Sequence, residues 1–295
     1  MKFVLLIIFT GLILLLAQCK QRNAETNHKA TPILDSESLD SLKNLTYLVL
    51  SPNEMLSDIL TDVKSLNTEI VNPKNNAVKY INAKHQAMNL GVYIADFAYL
   101  NLTQNRTNAL EYFKVIRDLA QKNNIYGCFD QAIFDRIQDN LANSDSLISI
   151  SQEMYYNMSD ILENSNRPKV YALISSGALV ESLYLTVMNV TKYADYEPLA
   201  RKLFEQEKVI QNLNSFISIY KDDPDIKSVY DQLQNLKKIM GQAERKSIKR
   251  KVIRDKNNHL EVKGGEDIMV TEKSFDEFRD KVIIIRNDIV NVSNK

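Results

Sequence analysis

Cysteine, proline and glycine are all scarce here: 2 Cys, 6 Pro and 7 Gly in 295 residues. Two cysteines exclude a disulfide scaffold, and beyond Cys19 only Cys128 remains, a lone thiol that reads as buried and inert near the start of a helix. An excess of charge of either sign is missing too. Lys plus Arg and Asp plus Glu both number 37, so bulk charge points to no polyanion and no nucleic-acid partner. The three histidines, His28, His85 and His259, stand far apart with no ligand spacing to cysteine or to one another, so no metal and no cofactor is expected. Gly-x-Ser-x-Gly, a phosphate-cradling glycine loop and His-Glu-x-x-His are likewise absent, leaving no complete catalytic constellation.

What is present begins at the N-terminus. Lys2 is followed by a largely apolar run from Phe3 to Leu16, then Leu16-Ala17-Gln18-Cys19. Phe3–Ala17 is too short to span a bilayer, which needs about 20 residues. A charged start, an apolar stretch and a cysteine after the cleavage region describe a lipoprotein signal peptide over residues 1–18, with Cys19 as the lipid attachment site. Gln18 departs from that pattern, since a small residue is usual there. A diacylglycerol thioether on the Cys19 thiol, with an acylated amino group, would make a membrane the first partner, because two or three chains hold where one does not. Lys20 in place of Asp resembles outer-membrane lipoproteins, which implies an anchored protein facing the periplasm. Residues 19–45 are polar and aperiodic, as expected of a flexible tether.

The rest reads as all-α. Apolar residues at three- and four-residue spacing predict helices near 52–67, 74–103, 107–122, 129–141, 145–164, 167–192, 196–220 and 224–246. The few prolines mark helix starts: Ser51-Pro52-Asn53-Glu54 carries an N-cap, a first-turn proline and a capping-box glutamate, and Asn72-Pro73 and Asp223-Pro224 read alike. Ile226, Val229, Leu233, Leu236 and Ile239 make one stripe. A helical core over 46–246 is followed by 247–295, a basic segment, a small hairpin between His259 and Val270 turning at Gly264-Gly265, and a helix from a capping box at Ser274 to Val290 that docks by Phe275, Phe278, Val282, Ile285 and Ile289. The basic run from Arg245 to Arg254 reads as a solvated helix end, with contact to anionic lipid as the alternative.

Two segments, Leu90–Leu100 and Tyr171–Leu185, are apolar nearly all round and belong at the centre of a bundle. Both follow one pattern. Gly91 precedes Asp96-Phe-Ala-Tyr99, Gly177 precedes Glu181-Ser-Leu-Tyr184, and each is succeeded by two amphipathic helices, so units over about 85–165 and 167–246 resemble a tandem duplication of helical hairpins, in a bundle or short α-solenoid.

Asp96, Tyr99, Glu181 and Tyr184 are the candidate buried polar site, since an acid in the middle of an apolar helix is costly unless paired, hydrogen-bonded or protonated. Two readings stand: a polar spot in a groove that takes a ligand cation or does acid/base work, or acids satisfied by Arg, Lys, Tyr or a helix N-terminus of the neighbouring unit. Gly264-Gly265-Glu266-Asp267 only superficially resembles the diguanylate cyclase signature; the phenylalanine and the large α/β domain are missing.

Ser51-Pro-Asn-Glu-Met-Leu56, Asn89–Tyr99 and Asn166-Arg-Pro168 through Tyr184 together resemble a family of helical envelope lipoproteins from Bacteroidetes. The likeness covers about residues 45–245 and implies a compartment and an all-helical body, with no catalytic residue. The expected function is a lipid-anchored, non-enzymatic binding or scaffolding module with an envelope protein partner. An envelope enzyme or small-ligand binder using the carboxylate-x-x-Tyr sites is the alternative.

Overall fold

The computed structural model describes residues 49–103, 106–190, 193–254 and 260–292, all within the unit Asp40–Lys295. The leader, Cys19, the tether, His28 and His259 lie outside the described residues. Among the described residues the chain is an all-α bundle of ten α-helices with one two-stranded sheet before the last helix. In chain order these are α1 (Pro52–Leu60), α2 (Ala83–Leu102), α3 (Arg106–Lys122), α4 (Gln131–Asp139), α5 (Ser144–Asn164), α6 (Pro168–Val187), α7 (Tyr193–Glu205), α8 (Glu207–Ile217), α9 (Pro224–Met240), strands β1 (Glu244–Arg254) and β2 (Leu260–Met269), and α10 (Glu272–Val290).

Local signals place most of the helix starts. At α1 the Ser51 hydroxyl accepts from the Glu54 N–H while the Glu54 carboxylate accepts from the Ser51 N–H at 2.8 Å, closing a capping box with Pro52 in the first turn. Asp223 caps α9 more simply, its side chain accepting the Asp225 N–H, with Pro224 following. The stripes then turn inward: Ile226, Val229, Leu233, Leu236 and Ile239 of α9, and Phe275, Phe278, Val282, Ile285 and Ile289 of α10, are all buried.

Tertiary contacts override several sequence expectations. The helix expected over 52–67 ends at Leu60, and 74–103 divides into a short 3-10 turn, Lys74–Lys79, and α2, capped by Asn82. Asn72 caps nothing, because the turn after Pro73 leaves it fully buried beneath α2 and α3. The helix expected over 196–220 breaks at Gln206 into α7 and α8. Ser274 lies inside the last helix, whose N-cap is Thr271. The basic run is no helix end: α9 stops at Met240 and Arg245–Arg254 forms β1, where Ile248, Val252 and Ile253 supply β-branched residues. The hairpin is accordingly longer than 259–270, and Gly264-Gly265 is not its turn. Both glycines lie within β2, Gly265 opposite Ile248, where the register shifts between Ile248 and Lys251 and so leaves Lys249 and Arg250 facing Gly264 alone.

Helices α2 and α6 form the centre, with α3 against α2, α1 and α5 across the pair, and α10 against α6 and α9. By length and composition α6 could cross a membrane, yet its most apolar 18-residue window is 89% buried inside the bundle.

Candidate functional site

The site is built where α2 and α6 touch. Gly91 lies against Ile174 and Ala178, Asp96 against Glu181, and Tyr99 reaches Asn189 just beyond α6, so the two helices run in the same direction in matched register. Glycine permits this approach. A Cβ on Gly91 would lie 2.7 Å from the Ala178 nitrogen and closer still to the Ile174 carbonyl, and one on Gly177 would lie 2.8 Å from the Met88 carbonyl carbon. The repeated acids therefore meet across the helix pair, while each glycine admits the backbone of the opposite helix, Gly91 that of Ile174 and Ala178 and Gly177 that of Met88.

Both carboxyl groups are at 0% exposure, and each has a distinct partner set. Glu181 receives a forked ion pair from Arg286 of α10, Nε at 3.0 Å and Nη2 at 3.2 Å. The Arg286 guanidinium also stacks 4.3 Å from the Tyr184 ring centroid. Asp96 accepts the Asn72 backbone N–H at 3.2 Å through Oδ2, whereas Oδ1 is buried with no donor in reach, and the Glu181 carboxyl lies beside the group. A buried carboxyl oxygen without a donor, next to a second acid, disfavours the charged form, so Asp96 is held protonated and can donate to Glu181. Burial, then the Glu181 charge, push Asp96 well above the ordinary carboxylate range, against a smaller pull from Arg286. Burial raises Glu181 too, but Arg286 and the hydrogen bond from Asp96 oppose it. The set is thus a neutral acid, a carboxylate and a guanidinium in line, with one negative charge matched by one positive.

Polar neighbours finish the cluster. Asn72 gives Nδ2 to the Tyr80 hydroxyl at 3.1 Å, takes Tyr112 OH on its carbonyl at 2.9 Å and accepts Asn76 Nδ2 at 2.7 Å. Tyr80 OH bonds the Val290 carbonyl and Asn89 Nδ2 the Ile289 carbonyl at 3.0 Å, so the last turn of α10 is tied to α2 and the segment before it.

Of the four residues singled out in the sequence, Asp96 and Glu181 meet and Tyr184 flanks Glu181 through Arg286. Tyr99 belongs elsewhere: its hydroxyl bonds the Asn67 carbonyl at 3.0 Å and Asn189, and burial pushes it up to about 12. Arg286 and Asn72 were not anticipated. Arg286 shares the face of Val282, Ile285 and Ile289, and a cation on a docking stripe is a readable signal, while Asn72 carries none. Cys128 is buried ahead of α4, its thiol pushed up to about 12 by burial.

The open grooves lie elsewhere. One of about 720 Å³ includes Ser57, Leu60, Thr61, Lys64, Leu102 and Thr103 in its lining, and another of about 400 Å³ Ile59, Asp62, Lys64, Leu199 and Lys202. Neither reaches the acids. Among the described residues no three His, Cys, Asp or Glu side chains form a metal set.

Fold and site together define an all-α bundle pinned at its centre by a buried carboxyl–carboxylate–guanidinium set. No family model, curated protein or solved structure matches this chain.

Proposed function

We propose that this protein is a lipid-anchored component of the cell envelope, held on the outer membrane through acyl chains on Cys19 and facing the periplasm, where it binds or scaffolds another envelope protein. The anchor rests on the leader and Cys19, and on the resemblance to helical envelope lipoproteins. The observation that carries the binding reading is the complete burial of Asp96 and Glu181, with Glu181 committed to Arg286. A general acid or base must reach a substrate proton, and these acids face only one another and the fold. What remains available to a partner is the outer surface, with the grooves on either side of residues 61–67.

Cells expressing the protein and fed labelled palmitate test both halves. The expected outcome is label and detergent partitioning for the native chain, neither for Cys19→Ser, and a defined crosslinked complex recovered from membranes. A turnover in the purified protein that Asp96→Asn with Glu181→Gln abolishes, without loss of fold, would overturn the binding reading and restore the enzyme or small-ligand alternative built on the same acids.

A further inference from the structure

A third cavity, of about 380 Å³, lies where the end of α3, the loop after it and the start of α4 come together. Asp118 and Gln121 line it from α3, one helical turn apart, and neither side chain has a hydrogen-bond or ion-pair partner among the described residues. Tyr126 lines it from the loop at 64% exposure. That exposure is imposed by the fold. Ile125, Cys128 and Phe129 are buried on either side of Tyr126, and Arg167 donates to the Asn123 and Asn124 carbonyls at 2.5 and 3.1 Å. Asn124 and Gly127 supply the left-handed turns, at φ 53° and 92°, that carry the chain around. The α4 side is fixed as well, because Arg117 of α3 donates to Gln131 Oε1 at 3.3 Å and lies 5.9 Å from the Phe134 ring centroid. A cavity whose walls are already set has little left to order when a ligand enters.

We propose that this cavity binds a neutral saccharide, with a pyranose against Tyr126 and its hydroxyls on Asp118 and Gln121; the inference goes beyond the anchored, partner-binding reading and does not depend on it. A pyranose has a face of C–H groups and an edge of hydroxyls. The face covers an aromatic ring that the fold holds in water, and the hydroxyls, which both donate and accept, match a carboxylate that only accepts and an amide that does both. Few polar groups beside an aromatic surface is also what fixes the orientation of a small ligand in a pocket. Other ligand classes fit less well. A proline-rich peptide docks in a groove lined by several rings and brings carbonyls without N–H groups, so the Asp118 carboxylate would gain no donor. An organic cation calls for a cage of rings, yet Phe129, the other aromatic residue lining the cavity, is only 3% exposed. Asp118 and Asp130 against Arg117 disfavour an anion.

The test is calorimetric titration of the full chain, kept in a sugar-free zwitterionic detergent, with chitohexaose, cellohexaose and maltohexaose in turn. Saturable binding of at least one is expected, indifferent to added salt because the ligand is uncharged. Tyr126→Ala should weaken it by about tenfold or more, the loss that removal of an aromatic anchor brings, whereas Tyr126→Phe keeps the ring and should bind nearly as the native chain does. Asp118→Ala with Gln121→Ala should weaken it too, and circular dichroism checks that each variant is folded; all three positions are exposed, so the fold should hold. The proposal fails if none of the three saccharides saturates the chain, if Tyr126→Ala binds as well as the native protein, or if decaproline binds in a Tyr126-dependent way and no saccharide does, which would mark a proline-rich segment as the ligand. Acyl labelling and crosslinking are scored separately, so failure of the anchored-scaffold reading and failure of the saccharide site give different results.

Discussion

Asp96 is the residue on which the site turns. It holds a proton in the fold far above the ordinary 3.8, because burial and the neighbouring Glu181 both disfavour its charge. The unfolded chain gives up that proton near the ordinary value, so between the two pKa values the folded state binds more protons than the unfolded one. This contribution is fully present below the unfolded value and is lost as pH rises through the folded one, by up to about 1.4 kcal/mol per pH unit. Glu181, raised more mildly, acts in the same direction. Asp96→Asn keeps an acceptor for the Asn72 N–H and a donor for Glu181 but cannot ionise. Urea unfolding at pH 5 and pH 8 should show the variant gaining on the native chain at the higher pH; an equal difference at both would mean that Asp96 is ionised in the fold. Sequence reasoning marked Asp96 and Glu181 as anomalous because acids interrupt apolar helices, a signal visible along one chain segment. Their meeting was not visible, since it depends on how α2 and α6 pack.

At the scale of elements, the crossing of α2 and α6 is set by two glycines that touch backbone. Gly177→Ala places a methyl group against the Met88 carbonyl, and a carbonyl held in a helix cannot rotate away as a flexible side chain can. We expect a loss of about 3 kcal/mol, which for a chain of this size lowers the melting temperature by roughly 6–12 °C. Gly241→Ala, where the nearest atom is 3.4 Å away, is the control and should change little. The boundary errors share one cause. Gln206, Asn72 and the strand β1 lie where the helical period fades, and there long-range neighbours decide the backbone while local propensity is weak. Buried stripes such as those of α9 and α10 were legible because burial on one face of a helix imposes a period on the chain itself.

Across the whole molecule, α10 closes the bundle from the far end of the chain. Arg286 bridges to Glu181 over a separation of 105 residues, with Tyr80 and Asn89 taking the final carbonyls of the same helix. Arg286→Met leaves the buried Glu181 carboxylate without its counter-charge and should cost about 3–5 kcal/mol, read as a shift in the denaturation midpoint. Adding Glu181→Gln, which still accepts the Asp96 proton, should return much of that loss, because the pair is dear to break and cheap to replace together. A double variant no more stable than the single one would mean that Arg286 acts by packing alone.

Amino-acid order was enough to settle the all-α class, the caps at Ser51 and Asp223, the inward stripes and the two acid-bearing central helices, since each is a periodic or short-range property. The state of those acids, the place of Arg286 and Asn72, and the strand made from the basic run were decided only by packing. Charge, protonation and β-pairing depend on what surrounds a group in space, and here the surroundings come from segments far apart along the chain.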